Sequence, residues 1–187
     1  MAEAINALFA ADALTLPTVI SEAEKSEVYA SVSPFIRALC EDENLSALAM
    51  MDLVVGALHN AFPTFFWTGF YRRIGPSMLE VGPSQGTLGC SHIEFGKGVC
   101  GTVAATERAR VVEDVHAEPN HIACDSASQS EIVVPVFVNG TLAAVLDVDS
   151  TAPAAFSQVD QQALEQICGW IGAALEHRAL SGVIAVA

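Results

Sequence analysis

The chain has 187 residues, of which 52% are hydrophobic and 16% are charged, and this balance indicates a folded domain with a core. Its formal net charge of -14, from 22 acidic and 8 basic side chains, would repel phosphate backbones and anionic membrane surfaces. We therefore expect neither a nucleic acid nor a membrane among its partners. The first residues lack the basic region of a secretory signal, and no Arg-rich transit segment follows, so the expected location is the cytoplasm.

The N-terminal part of the chain predicts an extension followed by two helices. Residues 1–20 are small and apolar with little periodicity, which is typical of an attached extension. Ser21 and Glu24 form a capping-box pattern that opens the first helix, and Pro34 predicts a kink or a restart within it. A second helix is expected from about Asn44 to Asn60, where apolar residues recur at helical spacing.

An aromatic strand is predicted over Phe65–Arg73, a segment that is dense in β-forming residues. Alternation along a strand places Trp67, Gly69 and Tyr71 on one face. Two aromatic side chains on a strand are more often part of a core than of a binding site. The glycine between them, however, leaves room for a ligand.

The second half of the chain predicts a short helix, a hairpin and a final helix. The segment Gly96–Thr106 has the pattern of a turn that leads into a helix. Cys100 would then lie near a helix N-terminus, where backbone N–H groups and the helix dipole favour a thiolate. The Asn139-Gly140 pair predicts a hairpin between two apolar strands, and a last helix is expected to begin near Ser157.

The loop from Asp114 to Glu131 concentrates reactive groups, with one thiol, two imidazoles and four carboxylates. A loop of this length with few large apolar side chains is rarely only a connector. The strand that follows the hairpin ends in Asp147 and Asp149, which the two-residue period places on one face. Such a pair is usually solvated, but on a concave face it can bind a cation or an ammonium group, or act as a general acid.

The five cysteines differ in their expected roles. Cys40 and Cys168 lie beside apolar residues of predicted helices and are expected to be buried, inert thiols. Cys90, Cys100 and Cys124 lie in irregular or element-terminal positions, where reactive side chains are typical. The odd count, the wide spacing and the lack of a CxxC pair argue against a disulfide scaffold or a structural zinc site. A Cys–His hydrolase would need an orienting group and an oxyanion hole that the sequence does not place.

Several motifs between residues 96 and 150 occur together in this chain. In chain order they are Gly98-Val-Cys100-Gly-Thr102, Asp114-Val-His116, Pro119-x-His121-Ile-Ala-Cys124-Asp-Ser-Ala-Ser128, Ser130-Glu-Ile-Val-Val-Pro135 and Val145-Leu-Asp147-Val-Asp149-Ser150. With these motifs the sequence resembles the free methionine-(R)-sulfoxide reductases, which are GAF-domain enzymes. The resemblance extends from about residue 22 to residue 176. Its run from Cys124 to Pro135 is absent from GAF domains that bind cyclic nucleotides or bilins.

The resemblance implies an α+β fold with a single GAF domain, which we place at residues 21–176. In this fold a six-stranded antiparallel sheet has helices on one side and a loop-built pocket on the other. Residues 177–187 would form a C-terminal tail. The resemblance also implies reduction of free methionine (R)-sulfoxide, thioredoxin as the reductant, and a homodimer through the N-terminal helices. Neither a cofactor nor a metal ion is expected.

The thiol roles follow from the resemblance and from sulfur chemistry. Cys124 is the expected nucleophile, whose attack on the sulfoxide sulfur would leave a sulfenic acid that condenses with a second thiol. By resemblance, Cys90 is the favoured resolving thiol and Cys100 an alternative one. Cys100 is also a rival nucleophile, because of its expected place near a helix N-terminus.

A proton donor is needed beside the sulfoxide oxygen, and Glu131 and Asp147 are the candidates, since crowded carboxylates can hold one raised pKa. The substrate-binding candidates are Asp149 for the ammonium group, Trp67 and Tyr71 for the thioether side chain, and the loop at Asp125 and Ser126 for the carboxylate. His116 and His121 are expected to pack within their loop, outside the site. The alternative function is a non-catalytic GAF sensor that binds a small molecule and uses its cysteines as a redox switch.

Overall fold

The chain folds around one antiparallel sheet, which the computed structural model describes over residues 19–122 and 124–180. The strands are β1 (Trp67–Ile74), β2 (Met78–Gln85), β3 (His92–Glu94), β4 (Arg110–Val112), β5 (Ser130–Val138) and β6 (Thr141–Ser150). The helices are α1 (Glu22–Glu41), α2 (Ala47–Ala61), α3 (Gly98–Thr106) and α4 (Gln158–Leu180), with a short 3-10 helix at Val115–Ala117. All paired strands are antiparallel, and they lie in the order β3-β2-β1-β6-β5-β4. The predicted α+β class and six-stranded sheet are confirmed.

The first helix begins as the capping-box pattern predicts. The Ser21 hydroxyl accepts a hydrogen bond from the Glu24 backbone, and the Glu24 carboxylate accepts one from the Ser21 backbone. The prediction of a possible restart at Pro34 is wrong, because α1 runs unbroken past this residue. The second helix begins three residues later than predicted, because the Asp42 side chain holds Asn44 in a turn through a 2.9 Å hydrogen bond.

The two faces of the sheet have different partners. One face packs against α1, α2 and α4 and contributes side chains such as Phe70, Val134 and Leu146 to that core. The opposite face, which we call the pocket face, carries Trp67 and Tyr71 and is covered by α3 and by loops. The predicted division between a helical side and a loop-built side is therefore confirmed, with the short helix α3 among the loops.

The Asn139-Gly140 hairpin fixes how β5 and β6 pair. Both residues have positive φ angles, 51° and 72°, as a tight hairpin turn requires. The resulting register pairs Glu131 with Asp149 and Val133 with Asp147. Because side chains alternate along a strand, this register places Glu131, Asp147 and Asp149 together on the pocket face.

A buried ion pair fastens α1 to the start of α4. The Lys25 ammonium contacts the Asp160 carboxylate and donates a 2.6 Å hydrogen bond to the Ala155 carbonyl. The same carboxylate accepts from the Tyr29 hydroxyl at 3.0 Å and from the Ser157 backbone at 2.7 Å. The charges are thus paired and hydrogen-bonded, as burial demands.

The end of α4 overlaps the region that was expected to form a tail. Helix α4 continues to Leu180, and the Arg178 side chain donates to the carbonyls of Asp42 and Leu45 at 2.7 and 2.9 Å. Residues 1–18 of the expected extension and residues 181–187 lie outside the described residues. Within the described part of the chain, no helix combines the length and the apolarity needed to cross a bilayer. The homodimer implied by the resemblance stays a prediction.

Candidate active site

A cavity opens on the pocket face. Its floor is formed by strand residues that the sheet register places side by side. Trp67 pairs with Asp149 and Asp149 with Glu131, so these three side chains form a row across β1, β6 and β5. Asp147 lies two residues before Asp149 on β6, opposite Gly69. Neighbouring side chains on one face of a sheet lie close enough to interact. The register of the strands therefore brings three carboxyl groups together, and we call this part of the cavity the acidic floor.

The acidic floor is buried at its inner end. Glu131 and Asp147 are each only 5% exposed, and Asp147 Oδ1 has no hydrogen-bond partner among the described residues. A buried polar atom without a partner is rare in folded proteins, and a catalytic role or a bound water or ion is a common reason for one. We interpret this atom as one that a bound polar group would contact.

The fold raises the pKa values of all three carboxyl groups of the floor, those of Glu131, Asp147 and Asp149. Burial, and then the charge of Asp149, raise the pKa of Asp147 well above its usual range. Burial, and then the charge of Asp147, raise the pKa of Glu131 in the same direction. Burial raises the pKa of Asp149 to about 6, with a hydrogen bond from Ser128 opposing the shift. The raised pKa values of Glu131 and Asp147 favour the protonated form of these two groups, which suits a site that donates a proton to a ligand.

Cys100 adds a thiol to the inner end of this floor. Its Sγ lies 4.0 Å from Glu131 Oε1, and the side chain is 3% exposed. Burial, followed by the charges of Asp147 and Glu131, raises the pKa of the Cys100 thiol well above its usual range. The expectation that the helix N-terminus favours a thiolate here is wrong, because burial among carboxyl groups outweighs the helix dipole.

One thiol and two carboxyl groups are a set that could also hold a metal ion. Cys100, Glu131 and Asp147 each offer an atom, and these atoms lie within 4.8 Å of one another. Metal binding would require all three groups to lose protons that burial helps them to keep. We assign no metal to this cluster.

Two aromatic rings form a wall of the cavity. The Trp67 and Tyr71 rings stack with centroids 5.6 Å apart, and the indole N–H of Trp67 donates to the Thr87 carbonyl at 3.1 Å. The space above Gly69 is filled by the Trp67 ring, since a Cβ at this position would lie 2.9 Å from Trp67 Cζ2. The expectation that this glycine leaves room for a ligand is therefore wrong. The glycine accommodates the indole, and the indole faces the cavity.

A disulfide joins the two loops at the mouth of the cavity. Cys90, which precedes β3, is bonded to Cys124 in the long loop, with 5.2 Å between their Cα atoms. Cys40, Cys100 and Cys168 are free and buried. The prediction that Cys40 and Cys168 are buried core thiols is confirmed.

The structure brings most of the predicted site residues to one place and leaves one outside. Ser126 is exposed and lies off the cavity wall, because the turn at Asp125 directs Ser128 inward instead. The cavity is lined by these predicted residues: Trp67, Tyr71, Cys100, Cys124, Asp125, Glu131, Asp147 and Asp149. Cys90 lies beside this lining and reaches it through its disulfide with Cys124.

Sequence reasoning missed two polar side chains of the wall. Ser128 is 4% exposed and hydrogen-bonds Asp149, and His121 lines the cavity. Burial and the neighbouring His116 lower the pKa of His121. The residue periods of helices and strands give no information about either residue, because both lie in irregular backbone. In such backbone the sequence does not fix the direction of a side chain. Their place inside a motif quoted for the resemblance was the available clue.

Comparisons with known proteins agree with this fold and site. The sequence model of the GAF domain matches residues 34–175. GAF domain-containing protein A of Dictyostelium discoideum is 41% identical over 148 residues, covering 79% of this chain and 92% of the relative. Free methionine-R-sulfoxide reductase of Escherichia coli is 40% identical over 143 residues, covering 76% of this chain and 86% of the relative. The solved structure of free methionine-R-sulfoxide reductase from Neisseria meningitidis, in complex with its substrate, matches this chain with a TM-score of 0.80 at 39% identity. That match covers 84% of this chain and 93% of the other.

The curled sheet, the helices on one face and the pocket on the other define a single α+β domain with a disulfide at the mouth of its pocket. The chain belongs to the GAF domain family. Its predicted resemblance to the free methionine-R-sulfoxide reductases is confirmed by the relatives of that name.

Proposed function

We propose that this protein reduces free methionine (R)-sulfoxide to methionine, with Cys124 as the nucleophile and Cys90 as the resolving thiol. The observation that carries the proposal is the Cys90–Cys124 disulfide at the mouth of a cavity with an acidic floor. A disulfide in this place is the product that a thiol-dependent reduction would leave behind. The reductase names of several relatives support the same reaction class.

The chemistry of the cavity lining favours one orientation of the substrate. Asp149 supplies a carboxylate for the substrate ammonium group, and the stacked Trp67 and Tyr71 rings offer an apolar wall for the thioether chain. Backbone N–H groups of the loop that contains Cys124 would bind the substrate carboxylate. Residues of a peptide lack both charged ends, and leaving buried polar partners unpaired costs several kcal/mol. Selectivity for the free amino acid follows from this cost.

The first step transfers oxygen from substrate to enzyme. The Cys124 thiolate attacks the sulfoxide sulfur while Glu131 or Asp147, whose pKa is raised by burial, donates a proton to the sulfoxide oxygen. The hydroxyl group then passes to the Cys124 sulfur, the bonds from the substrate sulfur to Cys124 and to oxygen break, and methionine leaves. Cys124 is then a sulfenic acid, and the substrate sulfur has gained two electrons.

The second step forms the disulfide. The Cys90 thiolate attacks the Cys124 sulfur, the S–O bond breaks, and the leaving hydroxide takes a proton to become water. An external dithiol, which we propose to be thioredoxin, then returns the enzyme to its reduced form by thiol–disulfide exchange. The cytoplasm is the compartment in which such a dithiol is kept reduced. Cys100 takes no part in this scheme, since burial opposes its thiolate.

The test is a turnover assay in which thioredoxin and its reductase consume NADPH only when a sulfoxide is reduced. We expect consumption with the free R epimer and not with the S epimer or with peptide-bound sulfoxide. Cys124→Ser should abolish methionine formation, whereas Cys40→Ser, the matched control in the helical core, should keep it within about threefold. Cys100→Ala tests the rival nucleophile and should still form methionine. Tight substrate binding without turnover by the pure, folded and reduced protein would instead favour the sensor function.

A further inference from the structure

The two loops at the cavity mouth are joined twice, and only one of the two links is covalent. Beside the Cys90–Cys124 disulfide, the Thr87 hydroxyl donates a 2.6 Å hydrogen bond to Asp125 Oδ2. Thr87 lies three residues before Cys90, and Asp125 directly follows Cys124. The hydrogen bond therefore spans the same two loops as the disulfide, a few residues away.

Each end of this hydrogen bond is itself fixed. Asp125 Oδ1 accepts a 2.8 Å hydrogen bond from the Ala127 backbone, which closes a turn directly after Cys124. The Thr87 carbonyl accepts the indole N–H of Trp67 from the first strand of the sheet. The link thus runs from a buried ring on β1, through Thr87, to the backbone beside Cys124. Both oxygens of Asp125 accept hydrogen bonds within the protein, so this side chain links its own turn to the Thr87 loop.

We propose that Thr87 is a positioning residue for the resolving step, and that its hydrogen bond to Asp125 holds Cys90 beside Cys124 when the disulfide is open. The proposal rests on the proposed function, because it concerns the second step of that reaction. Reduction removes the covalent link between the loops but leaves the hydroxyl and the carboxylate unchanged. A Cys90 thiolate that is kept close to the Cys124 sulfenic acid attacks it faster than one on a free loop. The products are the Cys90–Cys124 disulfide and water.

The variants test the hydroxyl group of Thr87. Thr87→Val removes the donor and keeps the side-chain shape, whereas Thr87→Ser restores the donor. Thr141→Val makes the same chemical change at an exposed position of the β5–β6 hairpin and is the matched control. Asp125→Ala, alone and combined with Thr87→Val, completes a double-mutant cycle that shows whether Thr87 acts through Asp125.

The assay separates the two chemical steps. Fully reduced protein is mixed with one equivalent of free methionine (R)-sulfoxide and quenched at intervals. Released methionine measures the first step, and loss of free thiols with formation of the Cys90–Cys124 disulfide measures the second. Dimedone added at intervals traps any sulfenic acid that accumulates on Cys124. A parallel series uses hydrogen peroxide to form the same sulfenic acid without any sulfoxide.

We expect Thr87→Val to slow disulfide formation by roughly threefold to tenfold, the effect of one lost hydrogen bond to a charged group at an exposed site. Methionine release should keep its wild-type rate, and trapped sulfenic acid should increase. Thr87→Ser should recover the rate, and adding Thr87→Val to Asp125→Ala should cause no further loss. Disulfide formation at the wild-type rate in Thr87→Val, or equal slowing of both steps, would overturn the proposal.

The sulfoxide series and the peroxide series together distinguish a failure of this proposal from a failure of the proposed function. If the wild-type protein releases no methionine from the sulfoxide, the proposed function fails. The peroxide series still reports whether Thr87 controls closure of the Cys90–Cys124 pair, because it needs only a sulfenic acid on Cys124. A Thr87→Val defect in that series supports the positioning role by itself, and its absence rejects it.

Discussion

Replacing Asp149 by Asn should make the ligand-free protein more stable while it weakens the site. The isosteric amide can still accept the hydrogen bond from Ser128, but it carries no charge. Asp149 is half-buried on the acidic floor, and folding raises its pKa from 3.8 to about 6. Each unit of such a shift corresponds to about 1.4 kcal/mol, so ionised Asp149 costs the folded state about 3 kcal/mol.

The sign of the pH dependence follows from the raised pKa. Above pH 6 the carboxylate is ionised in both the folded and the unfolded chain, and the cost is fully present. As the pH falls through 6 towards 4, the folded protein binds a proton first, and the cost disappears. Asp149→Asn should therefore gain about 3 kcal/mol over the wild type near pH 8, and close to nothing near pH 4.

The gain can be measured by thermal and chemical unfolding of the ligand-free, oxidised protein across this pH range. For a chain of this size, about 3 kcal/mol corresponds to a rise in Tm of roughly 6 to 12 °C. Asp52→Asn, which removes an exposed carboxylate from α2, is the matched control and should show no such pH-dependent gain. In the turnover assay, Asp149→Asn should lower kcat/KM about 100-fold, because the substrate ammonium loses its charged partner.

Two results would refute this reasoning. If Asp149→Asn unfolds at the wild-type temperature near pH 8, the folded site does not penalise the ionised carboxylate. If the gain persists unchanged at low pH, it arises from packing rather than from charge. If Asp149→Asn is more stable and its turnover is unimpaired, Asp149 does not bind the substrate ammonium group. Another group of the floor would then bind it.

Two further predictions concern the scaffold. Lys25→Met leaves Asp160 as a buried carboxylate without its cation, and we expect the free energy of unfolding in urea to fall by about 3 to 5 kcal/mol. The control is Lys97→Met, at an exposed lysine. Equal losses in the two variants would contradict the buried ion pair as the cause. Gly140→Ala places a side chain at a φ of 72° and should cost about 1 kcal/mol with turnover preserved. A neutral effect on unfolding would show that the hairpin adapts its turn.

The sequence determined the elements whose signals are local. The capping box at Ser21 and the Asn139-Gly140 hairpin both lie where the pattern predicts them. The hairpin also carried information about the site, since its register and the two-residue period together place Asp147 and Asp149 on one face with Glu131. Motif resemblance supplied the family, which composition and periodicity could not have named.

Only the tertiary structure decided how the thiols and the loop side chains divide their roles. Sequence position placed Cys100 at a helix N-terminus, but the carboxyl groups that surround it belong to β5 and β6, and burial among them raises its pKa. Likewise, Ser128 rather than Ser126 turns into the cavity, and the Trp67 ring covers the gap at Gly69. Local patterns report on the residue and its neighbours along the chain, whereas a pKa or a cavity wall is set by groups that the fold brings from distant segments.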